Sequence, residues 1–353
     1  MTADKIKDIL DNLGYKLTDK GKYWQTNAVF RQGDNHTALQ IWKDTGVWRD
    51  YVTGTDYNNF RKLLEKHFAD KGEINNLLED KDFRYIEKRS STAIETLESE
   101  KVYDEKLLNN LLPHYKFYND RGISDSTLGF FKGGLATQGK MYQRFVFPIY
   151  NYYGQIHGFA GRDMISKEGR PKWKHIGQKR NWIYPFYLPP TSACSMPESI
   201  NTTKEIILVE SIGDALNLHE NGIFNSMVTF GLDISPKQAC HLVELNLERV
   251  IVSFNNDEDK ADNRGLLGAI KTYLKLLDYL DPCKITICLP IKNDFGDMSP
   301  ADFITWRSKA SSLDLKKLTL QIITFAQASN KKKLISDNLY KNVGILEDYL
   351  ASL

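Results

Sequence analysis

Acidic residues follow three separate apolar runs in the second half of this sequence. The run EIILVE ends in Glu210, the run RVIVSF precedes Asn255, Asn256, Asp257, Glu258 and Asp259, and the run KITICLP leads to Asp294 and Asp297. If these runs are parallel strands, their carboxyl ends meet at the edge of the sheet where open α/β proteins bind ligands. Carboxylates gathered there are hard oxygen ligands that suit Mg²⁺ or Mn²⁺, and such ions bind phosphate oxygens.

The acidic cluster favours chemistry at a phosphate group. Two bound ions can align an attacking hydroxyl with a departing pyrophosphate. Taken one at a time, these acids are also explained as solvated loop residues, because Asp and Glu in loops are normally exposed. The agreement of three strand ends favours a site over that explanation.

A basic and aromatic segment precedes the acidic half. Between Arg162 and Arg180 many basic residues are interleaved with Trp173, Trp182 and Tyr184. Lys and Arg bind phosphates, and aromatic faces stack unpaired bases. The alternative is a solvated basic loop with aromatic residues of the core.

The apolar runs predict the elements that must position these residues. EIILVE, SMVTF, RVIVSF and KITICLP are mostly separated by helical segments, which is typical of a parallel sheet buried on both faces. Upstream, RFVFPIY, the turn Asn151–Gly154 and QIHGFAGR predict a hairpin. Residues 103–112 and the chain beyond Ile304 are predicted to be helical. The fold class is therefore α/β, with a parallel sheet and helices on both of its faces.

Residues 1–68 predict a separate small α+β unit. Ile6, Ile9, Leu10 and Leu13 recur at helical spacing, and Gly14 follows as a cap. TALQIWKDTGVWRDYV predicts two strands around Asp44-Thr45-Gly46, and Asn59 to Phe68 predicts a second helix. A charged, Ser- and Thr-rich stretch from Glu87 to Lys101 predicts a linker.

Composition restricts the class of protein further. The 353 residues have a net charge of +2, so nucleic-acid binding would have to come from local clustering of charge. The four cysteines form no Cys-x-x-Cys pair, which argues against a thiolate zinc site. Four cysteines in so long a chain also fit reduced thiols better than a disulfide framework. Without a signal-peptide pattern or a long apolar run, we expect a soluble cytoplasmic protein with no membrane partner.

The acidic half resembles a TOPRIM domain, the catalytic fold of DnaG-type primases, topoisomerases and some nucleases. VESIGDALNL matches its first motif at Glu210, and LPIKNDFGDM matches its third motif, best at Asp294. The second motif is normally Asp-x-Asp, whereas this chain has Asn255-Asn256-Asp257. Because an amide brings no negative charge, metal affinity should fall unless Asp257, Glu258 or Asp259 compensates.

The segment before it resembles the basic subdomain of bacterial and phage DnaG-type primases. The matching stretches are NDRGI, RFVFPI, GFAGR and RPKW, and the resemblance runs from about Tyr103 to Phe303. It places Arg121, Arg144, Arg162 and Lys172 at basic positions that bind nucleotide or primer phosphates, with Trp173 in place of the usual aromatic residue. A later family Lys has Lys174, Lys179 or Arg180 as its counterpart.

The resemblance implies a phage-type DnaG-like DNA primase that makes short RNA primers on single-stranded DNA from ribonucleoside triphosphates. It implies a replicative helicase as a further partner and Mg²⁺ or Mn²⁺ as the cofactor. The expected catalytic residues are Glu210, Asp257 and Asp294. The expected metal ligands are Glu210, Asn255, Asp257, Asp259, Asp294 and Asp297. A TOPRIM nuclease and a non-catalytic DNA-binding or helicase-loading homologue remain alternatives.

The N-terminal unit has the outline of the zinc ribbon with which DnaG-type primases begin. No cysteine precedes Cys194, so we expect a zinc-free relative packed around Trp24, Trp42, Trp48 and Tyr51. Arg31, Lys43 and Arg49 are its candidate phosphate contacts. The expected domains are a zinc-free template-binding-like domain (1–86), a linker (87–102), a basic subdomain (103–200), a TOPRIM domain (201–306) and a helical tail (307–353).

Overall fold

The chain divides into two compact units, Met1–Ser99 and Glu100–Leu353. The computed structural model describes residues 2–53, 57–70, 73–74, 77–78, 101–166, 169–189, 196–258 and 263–353. Most of the predicted linker falls on residues 81–100, outside the described residues. Within the described ranges, each helix is too short or too polar to cross a bilayer.

The first unit is an antiparallel sheet with helices. Strands β1 (Thr18–Asp19), β2 (Tyr23–Thr26), β3 (Leu39–Trp42) and β4 (Trp48–Asp50) lie in sequence order, with helices α1 (Ala3–Asn12) and α2 (Phe60–Leu64). This confirms the predicted first helix and the hairpin around Gly46. Helix α2 is shorter than predicted, and the pairing of β1 with β2 was not predicted. Gly46 has a φ of +67°, and a Cβ there would lie 2.8 Å from the Cβ of Phe60, so the turn requires glycine.

The aromatic residues expected in the core of this unit differ in burial, and two of its basic residues have partners within the unit. Trp24 and Trp48 are buried as predicted, whereas Tyr51 is 44% exposed. Arg31 forms an ion pair with the buried Asp50 at 2.7 Å. Arg49 stacks on the rings of Tyr51 and Tyr57, with its guanidinium carbon 5.0 Å and 5.2 Å from their centres.

The second unit contains a five-stranded antiparallel sheet. Strands β5 (Leu111–Leu112), β6 (Gly134–Ala136), β7 (Arg144–Tyr150), β8 (Ile156–Asp163) and β9 (Trp173–Ile176) lie in sequence order, with the short helices α3 (Lys116–Asn119) and α4 (Asp125–Phe130). The predicted β7–β8 hairpin is confirmed. The helix predicted over 103–112 is wrong. Only Glu105–Asn110 is helical, as a 3₁₀ segment, and Leu111 and Leu112 pair with β6 instead.

A parallel sheet forms the centre of the second unit, as predicted. Strands β10 (Glu205–Val209), β11 (Ser226–Val228), β12 (Arg249–Val252) and β13 (Ile285–Ile287) are parallel in the order β11-β10-β12-β13. They alternate with helices α5 (Met196–Thr203), α6 (Ile212–Glu220), α7 (Pro236–Glu244), α8 (Arg264–Leu276) and α9 (Pro300–Ser311). Ile206 and Leu208 face one core cluster, and Ile207 and Val209 face another, so both faces are buried.

The C-terminal segment is helical, as predicted, but it is packed on the sheet. It consists of α10 (Leu315–Lys331), α11 (Asp337–Tyr340) and α12 (Val343–Ser352). Ile322, Ala326 and Leu346 join the same core cluster as Ile206 of the central strand. Apolar residues at helical spacing on α10 explain this packing, because a face of that kind is stable only when it is buried.

The strand order creates the crevice that the sequence predicts. From β10 the chain passes to β11 on one side, whereas β12 lies on the other side, so the connections diverge at the carboxyl end of β10. Glu210 follows β10, Asn255 lies shortly after β12, and Asp294 follows β13. The buried side chains Phe145 and Phe147 of β7 share a core cluster with Ile207 and Val209, so the antiparallel sheet packs beside this crevice.

Candidate active site

A cavity of about 400 Å³ lies at these strand ends. One wall is acidic and polar and contains Glu210, Asp214, Asn217, Asn255, Asp294 and Asp297. The other wall is basic and aromatic and contains Phe117, Arg121, Arg162, Lys172, Trp173 and His175. Both walls belong to the second unit.

The acidic wall is fixed by helix and turn caps. Ser211 caps α6, and its Oγ and backbone N–H donate to Asp214 Oδ2 at 2.7 Å and 3.0 Å. Asp294 Oδ1 accepts from the backbone N–H groups of Gly296 and Asp297 at 2.8 Å and 3.1 Å. These bonds hold the carboxyl groups in place without using a basic side chain.

Asp214 was not identified from the sequence. Its pKa is raised to about 7, chiefly by burial and in smaller part by the negative charges of Asp294 and Glu210, against the opposing hydrogen bonds from Ser211. Mutual repulsion of this kind is relieved by a bound cation. The sequence does contain a pattern that could have identified Asp214: it lies four residues after Glu210, in the first turn of a helix that Ser211 caps.

The predicted metal ligands are only partly brought together. Glu210, Asn255, Asp294 and Asp297 line the cavity, whereas Asp257 is buried and is not among the lining residues. Asp259 lies outside the described residues. Asn256 bonds to the loop after β13 through Asn293 O and Pro290 O, which turns this segment towards that loop.

The donor atoms at the acidic wall fit a hard divalent cation. Carboxylate and amide oxygens are the ligands of Mg²⁺, and this ion usually keeps several waters and binds through one or two carboxylates. Among the described residues, no three His, Cys, Asp or Glu side chains form a group that could hold a metal. Glu210, Asn255, Asp294 and Asp297 line the same cavity, and their side-chain oxygens are of the kind that could hold such an ion.

The basic wall is a layer of alternating cations and rings. Arg162 on β8 and Trp173 on β9 are cross-strand partners and share one face of the sheet. The Arg162 guanidinium carbon lies 5.2 Å from the ring centre of Phe117 and 5.9 Å from that of Trp173. The Arg121 guanidinium carbon lies 3.7 Å from the ring centre of Phe117, and its Nη1 donates to Phe117 O at 2.7 Å. Lys172 completes this wall.

The structure does not bring Arg144 and Lys174 into the cavity lining. Arg144 pairs with Asp163, and Lys174 pairs with Gly161, so both lie on the sheet face opposite Arg162. Arg144 is buried and donates through Nη1 to Gly161 O and Pro171 O at 3.2 Å and 3.0 Å. Lys174 Nζ donates to Lys140 O at 2.7 Å. The resemblance implied that both residues contact phosphate, but neither of them lines the cavity.

Two of the predicted stacking residues are in the core. Trp182 and Tyr184 are 0% and 1% exposed, so neither presents a face to a base. His175, which the sequence analysis did not single out, lines the cavity two residues after Trp173 on β9, as strand alternation requires. Burial, reinforced by the charge of Lys179, lowers the pKa of His175 to about 4, so it is neutral near pH 7.

The sequence of this chain is similar to those of several curated proteins. A scan against protein-family profiles found no match. The chain is 27% identical over 285 residues to the DNA primase of Borreliella burgdorferi, which covers 68% of this chain and 50% of that protein. It is 23% identical over 375 residues to the DNA primase of Clostridium acetobutylicum, covering 91% of this chain and 59% of that protein. The chain thus spans about half the length of the curated relatives it matches.

Solved primase structures are more distant. The zinc-binding and RNA polymerase domains of the Aquifex aeolicus primase align over 98% of this chain and 94% of that chain, with a TM-score of 0.46 and 16% identity. A primase domain from Pseudomonas aeruginosa aligns over 67% of this chain and 87% of that chain, with a TM-score of 0.49 and 16% identity.

Proposed function

We propose that this chain is a DNA primase, which synthesises short RNA primers on single-stranded DNA by metal-dependent nucleotidyl transfer. The observation that carries the proposal is that the same cavity is lined by the carboxylates Glu210 and Asp294 and by the cations Arg162 and Lys172. Its curated relatives, which match 68% of the chain or more in several cases, are DNA primases. Ribonucleoside triphosphates, a DNA template and a replicative helicase are the partners that this function requires.

The residues of the cavity divide the work of the reaction. Arg162 and Lys172 bind the triphosphate, since a guanidinium offers paired donors to phosphate oxygens and an ammonium adds a point charge. Glu210 and Asp294 would hold Mg²⁺ or Mn²⁺, which when bound would neutralise charge that develops on the phosphate oxygens. No side-chain nucleophile is needed, because the 3′-hydroxyl of the primer attacks the α-phosphate and pyrophosphate leaves.

The finer assignments belong to this proposal. The parallel sheet and its acidic crevice support a TOPRIM domain, and the loss of the cysteine pairs from the N-terminal unit supports a zinc-free, phage-type relative. Metal analysis of protein purified without chelator tests the second point. We expect well under one zinc per chain, and a stoichiometric zinc signal would contradict the assignment.

The direct test is incubation with single-stranded DNA, labelled ribonucleoside triphosphates and Mg²⁺ or Mn²⁺. We expect labelled RNA products from the wild type and none from Glu210→Gln. The matched control is Glu244→Gln, which removes the same charge at an exposed position of α7, outside the cavity lining, and should leave product formation unchanged. Cleaved DNA without RNA would identify a TOPRIM nuclease instead.

A second candidate is a non-catalytic primase homologue. Asn255 stands where the resemblance expects a carboxylate, and Asp257 is absent from the cavity lining. A calorimetric Mg²⁺ titration separates the two candidates. The proposed enzyme binds Mg²⁺, and Asn255→Asp should tighten binding about tenfold by adding a charge at the site. Absence of Mg²⁺ binding in the wild type, restored by Asn255→Asp, would favour the non-catalytic homologue.

A further inference from the structure

The basic wall contains a stack that phosphate binding alone does not explain. Arg121, Phe117, Arg162 and Trp173 follow one another, each cation lying over a ring. A site that bound only phosphate would need the two guanidinium groups and Lys172, without aromatic residues between them. The rings therefore indicate a further function of this wall.

Exposure separates these rings from the aromatic core next to them. Phe117 and Trp173 are partly exposed and line the cavity, whereas the nearby Phe145 and Trp182 are fully buried. A ring whose purpose is packing would gain by complete burial, because the gain scales with the apolar area removed from water. Trp173 instead leaves part of its indole open to the cavity.

Arg162 supplies a second, independent observation. Within the described residues, its buried Nε has no hydrogen-bond partner. The N–H donors of a guanidinium lie in its own plane, so a guanidinium that stacks on an aromatic ring can still donate to an oxygen at its edge. An unsatisfied buried donor costs stability, so the position of Arg162 is not explained by the stability of the fold alone.

We propose that Trp173, with Phe117 and Arg162, forms a subsite for the base of a nucleoside triphosphate whose phosphates face Arg162 and Lys172. This inference rests on the proposed function and deepens it. The cavity volume of about 400 Å³ lies in the range of small-molecule sites. Stacking on an indole accepts every base, because each has a π-face, and this suits an enzyme that incorporates four different nucleotides.

The test compares ligands with and without a base. Binding of ATP, GTP and inorganic triphosphate, each with Mg²⁺, is measured by calorimetry on the full chain and on Trp173→Leu and Trp173→Phe. We expect Trp173→Leu to weaken ATP and GTP about tenfold, with triphosphate affected less than about twofold. Trp173→Phe keeps a ring and should stay within about threefold of the wild type for every ligand.

Two controls show whether a loss of affinity is specific to Trp173 and whether the variant is folded. Tyr152→Leu removes an aromatic ring that is 76% exposed on the β7–β8 turn, outside the cavity lining, and should change no affinity. Retained triphosphate binding shows that Trp173→Leu is folded.

Unchanged ATP affinity in Trp173→Leu, or equal weakening of ATP and triphosphate, would overturn the subsite and leave the primase proposal standing. Weakened binding of a short single-stranded oligodeoxynucleotide with unchanged ATP affinity would assign the stack to the template and overturn the subsite as well. A wild type that binds neither ATP nor GTP would contradict the proposed function itself.

Discussion

The two faces of the five-stranded sheet use the same residue type for different purposes. On the face towards the cavity, Arg162 is stacked between rings and its Nε is unsatisfied. On the opposite face, Arg144 is buried, donates to two carbonyl groups and lies 3.8 Å from Asp163. Arg162 therefore lines the cavity, whereas Arg144 donates to the backbone of its own sheet.

This difference follows from strand geometry. Successive side chains of a strand point to opposite faces, so Arg162 and its neighbour Asp163 must separate. Asp163 then meets Arg144 and also accepts from Arg170 Nε at 2.7 Å. Strand alternation therefore decides that Arg162 lines the cavity and that Arg144 does not.

Removing Arg162 should produce the largest effect on activity. We expect Arg162→Ala to lower nucleotide incorporation by about 100-fold or more, because the paired donors to phosphate are lost. Arg162→Lys should recover only part of this, since an ammonium lacks the planar fork. The melting temperature should stay within a few degrees of the wild type. A large fall in melting temperature with a proportional loss of activity would make Arg162 structural, like Arg144.

Removing Arg144 should instead destabilise the protein. Arg144→Ala leaves Gly161 O and Pro171 O without their donor and removes a charge near Asp163, which we expect to cost about 2–3 kcal/mol of unfolding free energy. Denaturant unfolding measures this loss. Incorporation per folded molecule should remain within about twofold when nucleotide is saturating. Lost incorporation at unchanged stability would return Arg144 to the phosphate-binding role that the resemblance implied.

The sequence predicted the elements better than it predicted the faces. The apolar runs identified each of the parallel strands in the described residues, and the motifs identified Glu210, Asn255 and Asp294 after them. Arg144 and Arg162 lie on different strands, so their relative faces depend on the register of the hairpin, which also contains an irregularity between Ile149 and Tyr150. That irregularity shifts the pairing by one residue, so counting outward from the turn places Arg144 and Arg162 on the same face, whereas they lie on opposite faces. Burial of Trp182 and Asp257 likewise depends on long-range contacts.

Lys172 and Lys174 provide a second comparison between a residue that lines the cavity and one that does not, with a smaller expected effect on activity. Lys172 lines the cavity, whereas Lys174 lies on the face of Arg144 and bonds to Lys140 O. We expect Lys172→Ala to raise the KM for nucleotide about tenfold and Lys174→Ala to change it less than twofold, because an exposed point charge contributes modestly. Equal effects of the two substitutions would mean that lining the cavity does not distinguish Lys172 from Lys174.

The smallest expected effect is the contribution of His175, on the cavity face, to the pH dependence of stability. Burial lowers the pKa of His175 to about 4, below the value near 6.5 expected in the unfolded chain. Between these values the unfolded state binds a proton that the folded state does not, so stability falls as the pH drops from about 6.5 to 4. We expect this residue to account for on the order of 1 kcal/mol of that fall, because its side chain is only partly buried. His175→Gln should therefore flatten the unfolding free energy measured across this range, while the same change at the exposed His36 should not. If both variants kept the wild-type slope, His175 would be solvated, and the cavity wall would be more open than its contacts with Trp182 and Phe230 indicate.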